Sequence, residues 1–516
     1  SYKVDAAKAA DGLPFASMPE EGPDRQFLLL THARVRVNEQ GEARAWLEGR
    51  EDDLLLFDES LVVGEALTLP LINETGDSLT GECATFEATL LANSKHAPAA
   101  CWFRSVVDAL VEAFHACGPS EVKIVRLPPV TEEAAAAFLA LRPLSVDRFP
   151  HLEALLKQSR DGVEFRVFKN GGSQALVSYS ISVPDALKRV IVLDASDPIR
   201  ELVHHDYRMQ SAEEVVPCLA RFREREGGLA SLKRYDRVTI YYAKEASGRG
   251  AMPAAFGKHG KGPLVQKFLR LMATKPKART LAFTFKQKGR GPHYSADLIK
   301  ALENAKIDPM EDFDPASGLG RVNVLTWGME TATNDYKDCD VVALLGVLFQ
   351  NREAVAGNFL GQVDDLHSPK MSRLVTRLWQ AESIHAIYQA MNRGAMRQVE
   401  VIDGVSQAKP TEVYVWHSDS ATREKLSAVL PGARWLPWRE PEEDMSASEV
   451  ALLIADHLHG LESKGTSKVS LRALKREIAP SLPSTTWRRA RDEALEIIPW
   501  AAQGQSLVSL GFTAAA

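Results

Sequence analysis

Short apolar runs punctuate the chain, each bounded by charged or turn-forming residues. Residues 27–30 (Phe-Leu-Leu-Leu), 54–57 (Leu-Leu-Leu-Phe) and 190–193 (Val-Ile-Val-Leu) have this form, as do 238–242, 280–285, 322–325 and 341–345. Such runs suit strands buried on both faces of a parallel sheet. The later ones are separated by helical stretches such as residues 264–272 and 295–305. Strands alternating with helices predict βαβ units. Residues 413–416 predict an additional edge strand.

Residues 61 to about 185 have another texture. Residues 130–142 are alanine-rich, with Thr131 as N-cap and acids in the first turn, and predict a helix. Residues 152–159 continue that character, and residues 163–168 and 175–181 read as strands around Gly171 and Gly172. This block reads as an insertion beside the first sheet. Residues 439–444, acidic and Pro-bearing, read as a linker. After it, Ser446 and Glu449 have capping-box spacing and open a helix over 450–460. The tail has helix–turn–helix character, with helices at 470–478 and 484–498, a turn at 480–483 and a wing strand within 505–512.

At roughly 150 residues per domain, 516 residues suggest three or four domains. A composition of 45% hydrophobic and 25% charged residues is that of an ordinary globular chain. No apolar run reaches the ~18–20 residues of a membrane span, and no export leader opens the chain. A cytoplasmic protein with no membrane contact is expected. The net charge of −6 excludes a uniformly basic coat but not local patches. Five cysteines without a C-x-x-C pair (Cys83, Cys101, Cys117, Cys218, Cys339) predict reduced, mostly buried thiols rather than a disulfide or zinc framework. The chain opens on Ser1 without an initiator methionine, which predicts a processed N-terminus or residues missing upstream.

Five segments carry candidate chemistry. Residues 54–60 place Asp58 and Glu59 at the end of an apolar strand, where a carboxylate can hold Mg²⁺ through water and a second acid can orient an attacking water. Residues 27–32 end in Thr31 and His32, and residues 190–196 end in Asp194, Ala195 and Ser196. All three would set polar groups at the carboxyl edge of one parallel sheet, where open α/β folds bind ligands. The fourth runs from Thr326 through Thr333, Asn334 and Asp335 to Asp340. The fifth, residues 388–397, carries Gln389, Arg393 and Arg397, with the two arginines four apart on one predicted helix face.

In this order the segments resemble the superfamily 2 helicases, nucleic-acid-dependent ATPases, over roughly residues 20–400. Residues 27–32 resemble the motif before Walker B, Asp58-Glu59 the D-E pair, residues 193–196 the Ser/Thr-containing motif III, and residues 280–286 the strand opening the second lobe's conserved set. Residues 326–340 resemble motif V and residues 389–397 motif VI. The resemblance implies an α/β fold of two RecA-like parallel-sheet lobes, the first N-terminally incomplete, with an inserted α+β block and a C-terminal winged-helix-like domain. The implied division is residues 1–60 with 186–225, then 61–185, 226–438 and 446–516. ATP and Mg²⁺ are the implied cofactors. Asp58 would bind the metal through water, Glu59 would orient water, and Thr333, Asn334 and Asp335 would couple nucleotide to the bound strand. Gln389, Arg393 and Arg397 would serve the γ-phosphate, with Arg393 preferred as the finger.

Two departures accompany the resemblance. Motif VI has Asn392 where the family has glycine, and Arg397 falls one position late. No G-x-x-x-x-G-K-[ST] run occurs, since residues 257–263 lack its spacing. That gap predicts a chain truncated at its N-terminus and weak or inactive as an ATPase on its own. The alternative is a non-catalytic, helicase-like DNA-binding or scaffold protein.

Two basic patches predict nucleic acid as partner, single- or double-stranded DNA first, with RNA not excluded. Between Glu245 and Asp297 eleven basic residues occur and no acidic one, Lys258, Lys261 and Lys286 among them, and the glycine-rich residues 247–262 read as a mobile loop closing over the strand. Residues 464–491 carry eight basic residues against Glu477 alone, with Arg488 and Arg489 in the first turns of a recognition helix. Thr31, His32 and Thr326 complete the expected contacts. The same C-terminal module suits a protein partner as well.

Overall fold

A computed structural model describes residues 54–510 except 59–60, 72–77, 92–96, 119–120, 146–148, 171–172, 182, 184–188, 288–290, 316–317, 330–334, 370, 418, 439–446 and 480–481. The predicted run 27–30, with Thr31 and His32, lies outside the described residues, as do Glu59, Thr333 and Asn334.

β1 (Leu55–Asp58) opens the described chain. An antiparallel sheet follows, built from β2 (Gly64–Pro70), β3 (Ile124–Arg126), β4 (Glu164–Asn170) and β5 (Ser173–Ile181) in the order β2-β5-β4-β3. Four helices accompany it: α1 (Leu79–Leu91), α2 (Ala97–Ala116), α3 (Glu132–Ser145) and α4 (Pro150–Arg160). Their apolar faces close on Phe86, Phe103, Phe138, Phe149 and Phe165. The ring pairs Phe86–Phe103 and Phe86–Phe149 meet edge to face at 5.0 and 5.2 Å, the geometry that aromatic quadrupoles favour. β6 (Val190–Leu193) then returns to pair in parallel with β1, Asp58 opposite Leu193.

The main sheet is six-stranded and wholly parallel. It comprises β7 (Val238–Tyr242), β8 (Thr280–Thr284), β9 (Val322–Thr326), β10 (Val341–Leu344), β13 (Thr411–Val415) and β14 (Arg434–Pro437), in the order β14-β7-β13-β10-β8-β9. β11 (Val399–Ile402) and β12 (Val405–Ala408) form a separate hairpin. Every residue of β8 and β10 is buried, which explains their unbroken apolar sequence. Six helices of this region matter below: the short helix Met252–Phe256, α5 (Pro263–Thr274), α6 (Tyr294–Asn304), α7 (Arg352–Val363), α8 (Met371–Met391) and α9 (Ser420–Val429).

Residues 413–416 do not form an edge. β13 lies between β7 and β10, and the edge belongs to β14, whose Arg-Trp-Leu-Pro sequence carries no apolar run. Crossover topology sets a strand's place in a parallel sheet, and a proline is tolerated at an edge. The tail holds α10 (Ala447–Ser463), α11 (Leu471–Ile478) and α12 (Ser484–Ile497). These pack with a three-stranded antiparallel sheet of β15 (Lys468–Ser470), β16 (Trp500–Gln503) and β17 (Ser506–Ser509), ordered β15-β17-β16. The expected single wing strand is thus a hairpin.

The inserted sheet rests on α7 rather than beside the β1–β6 ladder alone. Val63 and Gly64 donate their backbone N–H groups to Gln362 Oε1 (2.6 and 3.2 Å), and Ala66 N–H donates to Asn358 Oδ1 (2.9 Å). These side-chain amides satisfy the edge of β2, which has no strand neighbour on that side among the described residues. The approach requires glycine, because a Cβ on Gly361 would sit 2.5 Å from Gly64 Cα. Gly361→Val is therefore expected to lower stability by about 1–3 kcal/mol by forcing α7 off β2. A urea-denaturation midpoint equal to wild type would refute that.

Candidate functional site

The segment after β6, the strand paired with β1, meets the C-terminal half of α8. Beyond β6, Asp194 Oδ1 accepts from the Ser196 backbone N–H (2.8 Å) and from its hydroxyl (2.5 Å), and Ser196 is buried. The chain turns at Asp197–Ile199 and presents Arg200 to α8. There Arg200 Nε and Nη2 donate to Glu382 Oε1 and Oε2, each at 3.3 Å, and Gln350 Nε2 reaches Oε2 at 3.5 Å. Glu382 is 1% exposed, so this is an interior ion pair held in fork geometry.

Glu382, Gln389 and Arg393 are spaced seven and four apart. In a helix of 3.6 residues per turn the first two share one face, and the third emerges from the helix end above them. His385 lies on the same side. Burial, and then the Arg200 charge, push its imidazole down to about 3, against the opposing charge of Asp194. Its Nδ1 has no hydrogen-bond partner among the described residues. Tyr388 takes a hydrogen bond from Tyr235, and burial raises both phenols.

The arginines depart from the expected shared helix face. α8 ends at Met391; Arg393 lies in the following turn and Arg397 ends a 3₁₀ turn over Ala395–Arg397. A Cβ on Gly394 would lie 2.4 Å from Val342 Cγ2, so the chain must leave the helix to pass β10. Arg393 is buried, with Nη2 3.5 Å from Gln389 Oε1, while Arg397 is exposed. Lys233 holds the turn, donating from Nζ to the carbonyls of Met396 (2.7 Å) and Arg397 (3.2 Å). Burial and the neighbouring Arg397 push that ammonium down to about 8.

The turn also joins the segment that leads into β10. Ala395 N–H donates to Cys339 O (2.8 Å), and Gln398 Nε2 donates to Asp338 Oδ1 (3.0 Å). Asp335 is exposed on that segment. The structure thus pairs Gln389 with Arg393 and joins the turn after Arg393 to Asp338 and Cys339, a few residues beyond Asp335. Asp58 ends β1 one register position from Asp194. Arg200, Glu382, His385 and Lys233 are additions that sequence reasoning missed. Counting seven back from Gln389 would have found Glu382; the other three had no local signal.

The second constellation is the carboxyl edge of the main sheet. Connections leave β8 toward β9 and β10 toward β13, so strand order reverses between neighbours β8 and β10. Arg249 bridges this edge, donating to Lys286 O (2.9 Å) with its guanidinium 4.9 Å from the Phe285 ring. Lys258, Lys261 and Lys286 are exposed there, and Thr326 ends β9 half-buried. Residues 247–262 are not an open loop: Ser247, Met252 and Phe256 are buried, and Gly262 N–H donates to Phe256 O (2.5 Å). A Cβ on Gly260 would meet Asp297 O at 2.9 Å, which binds this bend to α6. Tight glycine-to-backbone approach, not glycine mobility, explains the composition.

In the tail, Arg488 and Arg489 are exposed on the second turn of α12, and Arg489 Nε pairs with Glu493 Oε1 at 2.8 Å. All five cysteines are free thiols; Cys83, Cys117 and Cys339 are buried. Among the described residues, no helix is long and apolar enough to cross a membrane, and no group of three or more His, Cys, Asp or Glu is placed to hold a metal. No family model matches the chain, and no curated protein is significantly similar to it.

Proposed function

We propose that the protein is a nucleic-acid-dependent ATPase of the superfamily 2 helicase type, a motor or translocase on DNA. The observation that carries this reading is the pairing of Arg200, in the turn after β6, with Glu382 of α8, the helix that carries Gln389 and leads into Arg393. Motor ATPases need this conjunction, because an arginine from one half must meet a phosphate held by the other. The order of segments along the chain and the reversal of strand order in the main sheet support the same reading.

Asp58 and Asp194 end adjacent parallel strands, and carboxylate oxygens are the donors that Mg²⁺ prefers. In this reading Asp58 holds the ion through water, and Glu59 orients the attacking water. The ion, when bound with ATP, supplies neutralisation of charge on the β- and γ-phosphates. Gln389 holds the Arg393 guanidinium, Arg397 stands at the open side, and Lys233 fixes the turn between them. Thr333, Asn334 and Asp335 lie on the stretch joined to that turn and carry nucleotide state toward the strand. The basic edge with Lys258, Lys261, Lys286 and Thr326 takes the phosphodiester backbone. The tail, three helices with a three-stranded sheet, is winged-helix-like, with Arg488 and Arg489 toward DNA or a partner protein.

A binding titration checks the nucleotide part. Mg²⁺-dependent binding of a fluorescent ATP analogue should weaken at least tenfold in Arg393→Ala, about the ~1.5–3 kcal/mol worth of a hydrogen bond to a charged group. Equal affinity in the two proteins would contradict it. The second reading, a scaffold that binds DNA without turnover, is favoured by one observation: no G-x-x-x-x-G-K-[ST] run occurs in the 516 residues.

A further inference from the structure

Three strand ends of the main sheet are joined by side chains that the motor reading leaves unused. Ser247 Oγ lies 2.8 Å from His417 Nδ1, and His417 Nε2 lies 3.3 Å from Asp419 Oδ2. Ser247 follows β7, and His417 and Asp419 follow β13. Ser247 O also accepts from Val347 N–H at 2.8 Å, which ties in the segment after β10. Gly346, at φ +103°, lets that segment pass: a Cβ there would lie 2.8 Å from both Met252 Sδ and Phe285 Cε2.

Asp419 is fixed independently as the N-cap of α9, accepting from Thr422 N–H at 2.6 Å. A carboxylate held in this way orients the imidazole so that Nε2 carries the proton and Nδ1 accepts from the serine hydroxyl. Ser247 is 3% exposed, so its hydroxyl is not presented to a substrate as a nucleophile. It stands instead at the root of residues 247–262, whose lysines form the basic edge.

We infer that Ser247, His417 and Asp419 form a latch that positions the basic bend of residues 247–262 for nucleic acid, with His417 as its positioning residue. The inference rests on the proposed nucleic-acid interface at this edge. Protonation of His417 turns Nδ1 into a donor from which the Ser247 oxygen accepts, so the contact survives with its direction reversed. The groups facing the ring are Asp419 from its own segment, the uncharged Ser247 from the β7 side and Phe349, edge-on at 5.7 Å, from the β10 side. Burial lowers the imidazole's pKa and Asp419 opposes that, so His417 is held neutral near pH 7.

The test is fluorescence anisotropy with a labelled single-stranded oligothymidylate. His417→Ala should bind roughly five- to tenfold more weakly, the size of one or two lost hydrogen bonds. Its salt slope should not change, because every lysine remains. His417→Asn, which retains an amide oxygen to accept from Ser247, should restore affinity. Ser247→Ala, the smallest change, should show the same roughly five- to tenfold loss and decides the matter where His417→Ala folds poorly. A triple Lys258→Ala, Lys261→Ala, Lys286→Ala variant is the control. If the triple variant binds weakly and the His417 and Ser247 variants bind as wild type, the latch is refuted and the interface stands. If the triple variant binds as wild type, the interface and the latch fall together.

Discussion

Glu382→Ala is expected to destabilise the protein by about 3–5 kcal/mol, the cost of stranding a buried cation. Arg200 loses both of its carboxylate contacts in this variant, and its side chain is only 14% exposed, so water replaces them poorly. Arg200→Ala should cost a similar amount, because Glu382 is then left alone at 1% exposure. Removing both charges together, as Arg200→Met with Glu382→Leu, should recover most of the loss, since an apolar pair of similar volume carries no desolvation penalty. Urea denaturation of the three variants measures this directly. A double variant as unstable as either single one would show that the pair's value lies in its own attraction. If the proposed motor reading holds, turnover adds a second readout, because the pair sets α8 against the turn after β6. The double variant should therefore be stable yet impaired in hydrolysis.

Acid should loosen the same junction. His385 titrates near 6.5 in the unfolded chain, and in the folded protein burial and Arg200 push it down to about 3. Between those values the unfolded state binds more protons, so the stability present above about pH 6.5 is lost progressively as pH falls toward 3. At ~1.4 kcal/mol per unit, the loss across the window is on the order of 4–5 kcal/mol. Most of it should vanish in His385→Gln, which fills the site without titrating. Urea midpoints measured at several pH values should fall more steeply in acid for wild type than for His385→Gln, and parallel profiles would contradict this assignment.

The parts of the fold legible in the sequence are those where burial on both faces leaves an unbroken apolar run. Residues 280–284 and 341–344 are such runs, and both are central strands. β14 escaped because an edge strand of Arg, Trp, Leu and Pro needs no such run. The extent of α8 escaped because its stripe is interrupted by Glu382 and Ser383, both buried. Their burial depends on partners distant in sequence; Arg200 and Glu382 are 182 residues apart, beyond any local period. The same reason hid the Ser247–His417 contact, which spans 170 residues. The helix through Arg397 was misread because spacing alone cannot show that Gly394 must pass within contact of Val342.

The β1–β6 ladder has an unusual exposed side. Leu54, Leu56, Ile191 and Leu193 are all about half exposed or more, while Phe57 on the opposite face packs with Leu61, Val63 and Val183. Parallel strands are ordinarily covered on both faces. Among the described residues only one face is covered. Asp58, Asp194 and Ser196 stand at the end of this ladder, so whatever covers it also shapes the proposed nucleotide cleft.

Phosphate release from Mg²⁺-ATP, with and without single-stranded DNA, tests the central claim most directly. It should be made on the longest natural form of the protein, beside Glu59→Gln and Arg393→Ala. The motor reading predicts turnover stimulated by DNA, reduced at least a hundredfold in both variants while DNA affinity is retained, a loss of about 2.7 kcal/mol or more in transition-state stabilisation. Intact DNA binding with no turnover in the unsubstituted protein would contradict it and leave a nucleic-acid-binding scaffold.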